Sequence, residues 1–106
     1  NLGIVLKFFP QINLSIIAEN SFLKPYKGNA TINTVPGETI SLYGFDNKTK
    51  LTSKGLKYQL KDIALPFGER ESTSNVAKKN IVQLKISNGV VFVIRDVNFM
   101  IKHDLF

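Results

Sequence analysis

Residues 80–94, NIVQLKISNGVVFVI, constrain the fold more than any other part of the chain. Val82, Leu84 and Ile86 alternate with Gln83 and Lys85, which puts the apolar side chains on one face of an extended strand and the polar ones on the other. Asn88-Gly89 follows, and a type I′ turn needs positive φ at its two central residues, which Asn and Gly tolerate. The segment therefore reads as a β-hairpin. Its second arm, residues 90–94, is apolar on both faces, as suits a strand covered on both sides.

The same period recurs elsewhere. Leu56, Tyr58 and Leu60 alternate with Lys57, Gln59 and Lys61, giving a half-exposed strand that continues through residues 62–65 until Pro66 and Gly68 end it. Strands are expected at 29–35 and 38–43, joined by Pro36-Gly37, a dipeptide suited to the centre of a type II turn. Residues 4–9 and 12–18, separated by Pro10, complete about seven strands, with loops at 20–28, 45–55 and 69–79. The C-terminus has two readings. As a strand, Val97, Phe99 and Ile101 share a face; as a helix, Asp96 caps it and Val97, Met100, Ile101 and Leu105 line one side. Asp96 is a natural cap, so the helix is preferred. The fold class is mainly β: one antiparallel barrel or sandwich with a short C-terminal helix, in a single domain of 106 residues.

Composition removes several chemistries. With no cysteine there is no disulfide framework, zinc finger, iron–sulfur centre or thiolate nucleophile. His103 is the single histidine and lies near the end beside Asp104, where a general base lacks a held orientation. Glu69 and Glu71 flank Arg70 in a polar stretch and read as solvated charges, and Arg95-Asp96 reads as a structural ion pair or helix cap. The glycines form neither a dinucleotide fingerprint nor a phosphate loop. No catalytic residues, metal ligands or cofactor are assigned, and the chain is expected not to be an enzyme. Triplets of the N-x-S/T type at Asn13, Asn29 and Asn47 carry no argument for secretion without a signal peptide or cysteines.

Charge is the remaining feature. The net charge is +6, and residues 24–61 hold +5 of it: Lys24, Lys27, Lys48, Lys50, Lys54, Lys57 and Lys61 against Glu38 and Asp46. These seven lysines are the candidate binding residues. They supply point charges for a phosphate-bearing or acidic surface, without the bidentate fork of arginine. The plainer reading is a solvated edge strand and loop protected by lysine. Of the nearby aromatics, Tyr58 is assigned to the core with Leu56 and Leu60, while Tyr26 and Phe45 are loop residues open to a contact.

The sequence starts at Asn1 rather than Met and reads as part of a longer chain. Its opening, NLGIVLKFFPQINLSIIA, is broken by Lys7, Pro10, Gln11 and Asn13 before reaching the length of a membrane span.

About seven strands closed by an amphipathic helix, with KNIVQLKISNGVVFVIRDV as the last hairpin running into it, resembles the pleckstrin-homology-like barrel and its bacterial and organellar relatives. The resemblance is one of element order; the basic first hairpin that holds inositol phosphates is absent, since Lys7 stands nearly alone there. It implies a noncatalytic binding module, the soluble domain of a membrane-associated protein, in a reducing compartment or organelle matrix. Its lysines would dock an anionic partner: a ribosome or other RNA, an anionic lipid surface or an acidic protein, as in mitochondrial inner-membrane proteins with a soluble β domain. The alternatives are a small barrel binding single-stranded nucleic acid and a structural subunit pairing through a strand edge.

Overall fold

The computed structural model describes residues 16–18, 20–44, 48–64 and 72–106. Among them are seven strands and one helix: β1 (Ile16–Ala18), β2 (Ser21–Asn33), β3 (Thr39–Gly44), β4 (Lys50–Lys54), β5 (Ile63–Ala64), β6 (Ser72–Val76), β7 (Ile81–Asp96) and α1 (Val97–Lys102). The strands form one sheet in the order β1-β2-β7-β3-β6, with β4 pairing both β7 and β5, and every pairing is antiparallel. The architecture is mainly β with a short C-terminal helix, as the alternating pattern implies.

The hairpin at Ser87-Asn88-Gly89 is not formed. Residues 81–96 are one strand of 16 residues, and both halves pair with β2, from Asn33↔Ile81 to Ser21↔Asp96. Asn88 has φ 62, but Gly89 has φ 153, so the chain bulges and continues instead of reversing. Lys27 stands opposite residues 87–90 of the bulge, between the pairs Tyr26↔Val91 and Gly28↔Ile86. On the other side of β7 the bulge marks a change of partner. β4 runs beside it up to Ser87, and β3 begins beside it at Val91. The expected burial survives this correction: Val82, Leu84 and Ile86 are in the core, Gln83 and Lys85 are exposed, and Val91, Phe92 and Val93 are all buried.

The Pro36-Gly37 turn is as expected, with Gly37 at φ 100 and Glu38 N donating to Val35 O at 2.9 Å. The strands it joins do not pair with each other. β2 and β3 lie on opposite sides of β7, so the turn carries the chain across the end of that strand. Arg95 fastens the crossing. Its Nη2 donates to Asn33 O at 2.8 Å and to Glu38 Oε1 at 2.9 Å, and its Nε to Glu38 Oε2 at 2.6 Å. Both side chains are buried in a bidentate pair.

Three expected loops contain strands. The loop placed at 20–28 is the first half of β2, where Pro25 stands opposite Phe92 of β7, and among the described residues β1 covers only Ser21–Leu23. The loop placed at 45–55 contains β4. Its inward positions are Leu51 and Ser53, and the polar Ser53 hides the alternation. The loop placed at 69–79 contains β6, whose sequence STSNV lacks an apolar alternation. Conversely, the strand expected at 56–60 is a loop whose one β-bridge among the described residues joins Leu56 to Ala77, and of the described part of its continuation, residues 62–64, Ile63–Ala64 is extended. The expected strand at 4–9 and the sequons at Asn13 and Asn47 lie outside the described residues; Asn29 is exposed on β2.

Asp96 caps α1, its Oδ1 accepting from Phe99 N at 2.9 Å. Met100 is buried and Ile101 is not. No helix among the described residues is long and apolar enough to cross a membrane.

Candidate ligand-binding site

After β4 the chain turns at Gly55, whose φ of 96 and close packing exclude a side chain: a Cβ there would lie 2.6 Å from Ile81 O. Leu56 then drops into the core beside Ala77. From that anchor the next residues are laid along β6. Lys57 N donates to Val76 O at 2.7 Å, and Lys78 N to Gly55 O at 2.8 Å. Tyr58 is held through its own backbone by one buried side chain. Its N donates to Asn75 Oδ1 at 3.1 Å, and its O accepts from Asn75 Nδ2 at 2.8 Å. Asn75 is 1% exposed, and its Oδ1 also accepts from Val76 N at 2.9 Å. An amide is the one side chain of this size that donates and accepts in this paired fashion.

The far end of the loop is tied back to β4. Leu60 N donates to Ser53 Oγ at 2.9 Å, Ser53 N to Leu60 O at 2.8 Å, and Asp62 N to Thr52 Oγ1 at 2.9 Å. With both ends fastened, Tyr58 is 59% exposed, and Lys57 Nζ lies over its ring, 5.3 Å from the centroid. An aromatic ring on a fixed backbone, with the Lys57 ammonium over one of its faces, has its other face on which a planar ring can stack.

Assignment of Tyr58 to the core is therefore corrected: with no ladder to set the side of each residue, alternation no longer governs its direction. The lysines are only partly assembled. Lys50 and Lys54 bracket β4, and Lys57 and Lys61 belong to the loop after it, all exposed, as is Lys48. Lys24 and Lys27 are on β2, across β7 from β4. Lys27 is exposed, while Lys24 is half-buried with Nζ 5.3 Å from the Tyr26 ring. Tyr26 is a half-buried strand residue, and Phe45, Glu69, Arg70 and Glu71 lie outside the described residues. His103 caps the end of α1 and packs on Phe99, ring centroids 4.2 Å apart. Among the described residues no group of three or more His, Cys, Asp or Glu side chains is placed to hold a metal ion.

Residues 28–91 match the family model described as thiamin pyrophosphokinase, vitamin B1 binding domain. The span includes Gly55, Tyr58 and Asn75. Thiamin pyrophosphokinase 1 of Caenorhabditis elegans is 40% identical over 57 residues, covering 54% of this chain and 24% of that protein. Among solved structures, thiamine pyrophosphokinase from Bacillus subtilis superposes with a TM-score of 0.76 at 21% identity, over 91% of this chain and 47% of that one. The Candida albicans thiamin pyrophosphokinase gives 0.69 at 21% identity, over 88% and 37%. The chain thus spans a quarter of the curated relative and less than half of these solved chains.

These matches overturn the pleckstrin-homology-like resemblance, which rested on strand count and a closing helix that other β folds share. They also overturn the expected noncatalytic module, the membrane-associated, mitochondrial and ribosome-docking readings, and the anionic macromolecular partner. The relatives are enzymes, and the family is described by the small molecule it binds.

Proposed function

The chain belongs to the thiamin pyrophosphokinase vitamin B1-binding domain family, and from that membership we propose that it is the thiamin-binding part of a thiamin pyrophosphokinase, with Tyr58 as the ring platform. Thiamin joins a planar aminopyrimidine to a cationic thiazolium. Within the matched span only Tyr58 and Ile81 are exposed large apolar side chains among the described residues, and only Tyr58 is aromatic. The observation that carries the reading is the clamp on Tyr58 by Asn75, which presents an aromatic face without loss of backbone order. Such preorganisation lowers the entropic cost of binding.

Lys57 sets the direction of the ligand. An ammonium 5.3 Å from the Tyr58 ring repels the thiazolium, so the neutral pyrimidine stacks on Tyr58 and the thiazolium points away from Lys57. Diphosphoryl transfer to thiamin is proposed for the whole protein, to which this chain brings the thiamin surface.

Thiamin titration by calorimetry tests the proposal. Tyr58→Phe keeps the affinity within about twofold, and Tyr58→Ala weakens it about tenfold. Unchanged affinity in Tyr58→Ala, with the fold intact by circular dichroism, would remove Tyr58 from the site.

A further inference from the structure

A second concave surface lies apart from the Tyr58 loop, between β2, the end of β7 and the turn after α1. It is a groove of about 240 Å³ with Phe22, Phe106 and Met100 among its walls and Lys24, Tyr26 and Arg95 supplying its polar groups. The two phenyl rings stand edge to face, centroids 5.2 Å apart at 85°, so Phe106 closes the groove against Phe22.

The polar groups are incompletely used. Arg95 is 5% exposed, and its Nε and Nη2 are committed to Glu38 and Asn33. Among the described residues nothing accepts from Nη1, yet no fully buried side-chain nitrogen or oxygen lacks a partner. The Nη1 donors are therefore not fully buried, and Arg95 lines the groove. The Tyr26 hydroxyl also has no hydrogen-bond partner among the described residues, and the Lys24 ammonium makes only its contact with the Tyr26 ring. Burial raises the Tyr26 pKa above its ordinary 10.0, more than Arg95 lowers it, so the phenol remains a donor at neutral pH. Glu38 balances Arg95, and among the described residues Lys24 forms no ion pair with a carboxylate. A cation and two further donors above apolar walls match one anionic oxygen pair carried on a small apolar body.

We propose that this groove binds a small aromatic carboxylate, its carboxylate oxygens accepting from Arg95 Nη1, the Tyr26 hydroxyl and Lys24 Nζ while its ring lies against Phe22, Phe106 and Met100. The site is separate from the thiamin platform and does not rest on that reading.

Benzoate is the probe, followed by NMR of the purified protein with ring-labelled tyrosine, whose three tyrosines give separate signals. Benzoate is expected to shift Tyr26 saturably, with a Kd on the order of 1 mM, while leaving Tyr58 in place. Benzamide, of the same shape without the charge, and orthophosphate, with charge but no apolar body, leave Tyr26 unmoved. Lys24→Ala weakens benzoate binding about tenfold, followed by the same Tyr26 signal. Tyr26→Phe weakens it by a similar factor, followed by the Met100 methyl signal. Both variants spare the Arg95–Glu38 pair, so the fold is retained. A benzoate titration without a saturable shift of Tyr26 overturns the proposal. So does benzamide or orthophosphate binding as well as benzoate, unchanged affinity in Lys24→Ala and Tyr26→Phe, or thiamin saturating the Tyr26 signal.

Discussion

Arg95 and Glu38 are 57 residues apart in sequence and form a buried bidentate pair, Nε–Oε2 2.6 Å and Nη2–Oε1 2.9 Å. The pair joins the last strand to the turn that carries β2 over to β3, and Asn33 O completes it from the end of β2. Removing one partner leaves the other buried without its counter-charge. Glu38→Leu and Arg95→Met should each destabilise the fold by about 3–5 kcal/mol, read as a lower midpoint in urea. The double variant should cost far less than the sum, because two apolar side chains replace two desolvated charges. Additive costs would mean that the pair acts by packing alone.

The Asn75 amide should be more important for ligand binding than its distance from solvent suggests. Asn75→Asp keeps an acceptor for Tyr58 N but loses the donor to Tyr58 O, and sets a carboxylate against a carbonyl in a site 1% exposed. The expected outcome is a loss of about 1–3 kcal/mol of stability with a weaker thiamin affinity. The loop amides of residues 57–60 should show faster hydrogen exchange than those of β7.

Much of this fold is legible in sequence wherever a strand has one apolar face. Val82, Leu84 and Ile86 declare β7, and Pro36-Gly37 declares its turn. Other features are decided by tertiary context. Asn88-Gly89 carries the local signal of a reversal, but β2 continues past it on one side while β4 hands over to β3 on the other, and the chain stays extended. β4 and β6 are hidden because Ser53 and Asn75 occupy inward positions where hydrogen bonds replace apolar contact. The exposure of Tyr58 is hidden for the opposite reason: GLKYQL alternates like a strand, yet it is held by isolated hydrogen bonds, several of them to the side chains of Ser53 and Asn75, rather than by a continuous ladder. The seven lysines stand out in sequence as a charged group, whereas Asn75, which holds Tyr58, is uncharged.

Gly55→Ala should be costly in a way that no side-chain adjustment relieves. The new methyl would meet Ile81 O, a backbone atom of the central strand, at 2.6 Å, in a residue with φ 96. A destabilisation of about 2–4 kcal/mol is expected, accompanied by weaker thiamin binding because Leu56 and Tyr58 follow directly. Gly37→Ala serves as the comparison. It has similar φ but no atom within 4 Å, so its cost should be confined to backbone strain, about 1 kcal/mol.

Alkaline stability should report on Tyr26. Its pKa is raised in the folded protein by burial, which outweighs the opposing field of Arg95. The unfolded chain then loses its proton first as pH rises. Below the ordinary value of 10.0 the group has no effect on the pH dependence, and above it the folded state is progressively disfavoured. Tyr26→Phe should flatten the fall in stability above pH 10, measured by urea denaturation across the alkaline range. An equally steep fall in the variant would assign the effect to other groups.

β7 is the shared neighbour of β2, β3 and β4, yet it follows all of the other described strands in chain order. On a ribosome, the earlier strands emerge with their hydrogen-bonding edges open and their common template still unsynthesised. Assembly must therefore wait for residues 81–96, which makes formation of the sheet a late, nearly all-or-none event dominated by long-range pairing. A nascent chain stalled before Ile81 would expose several unpaired edges at once, and chaperone capture should peak there and fall once Asp96 has cleared the exit tunnel.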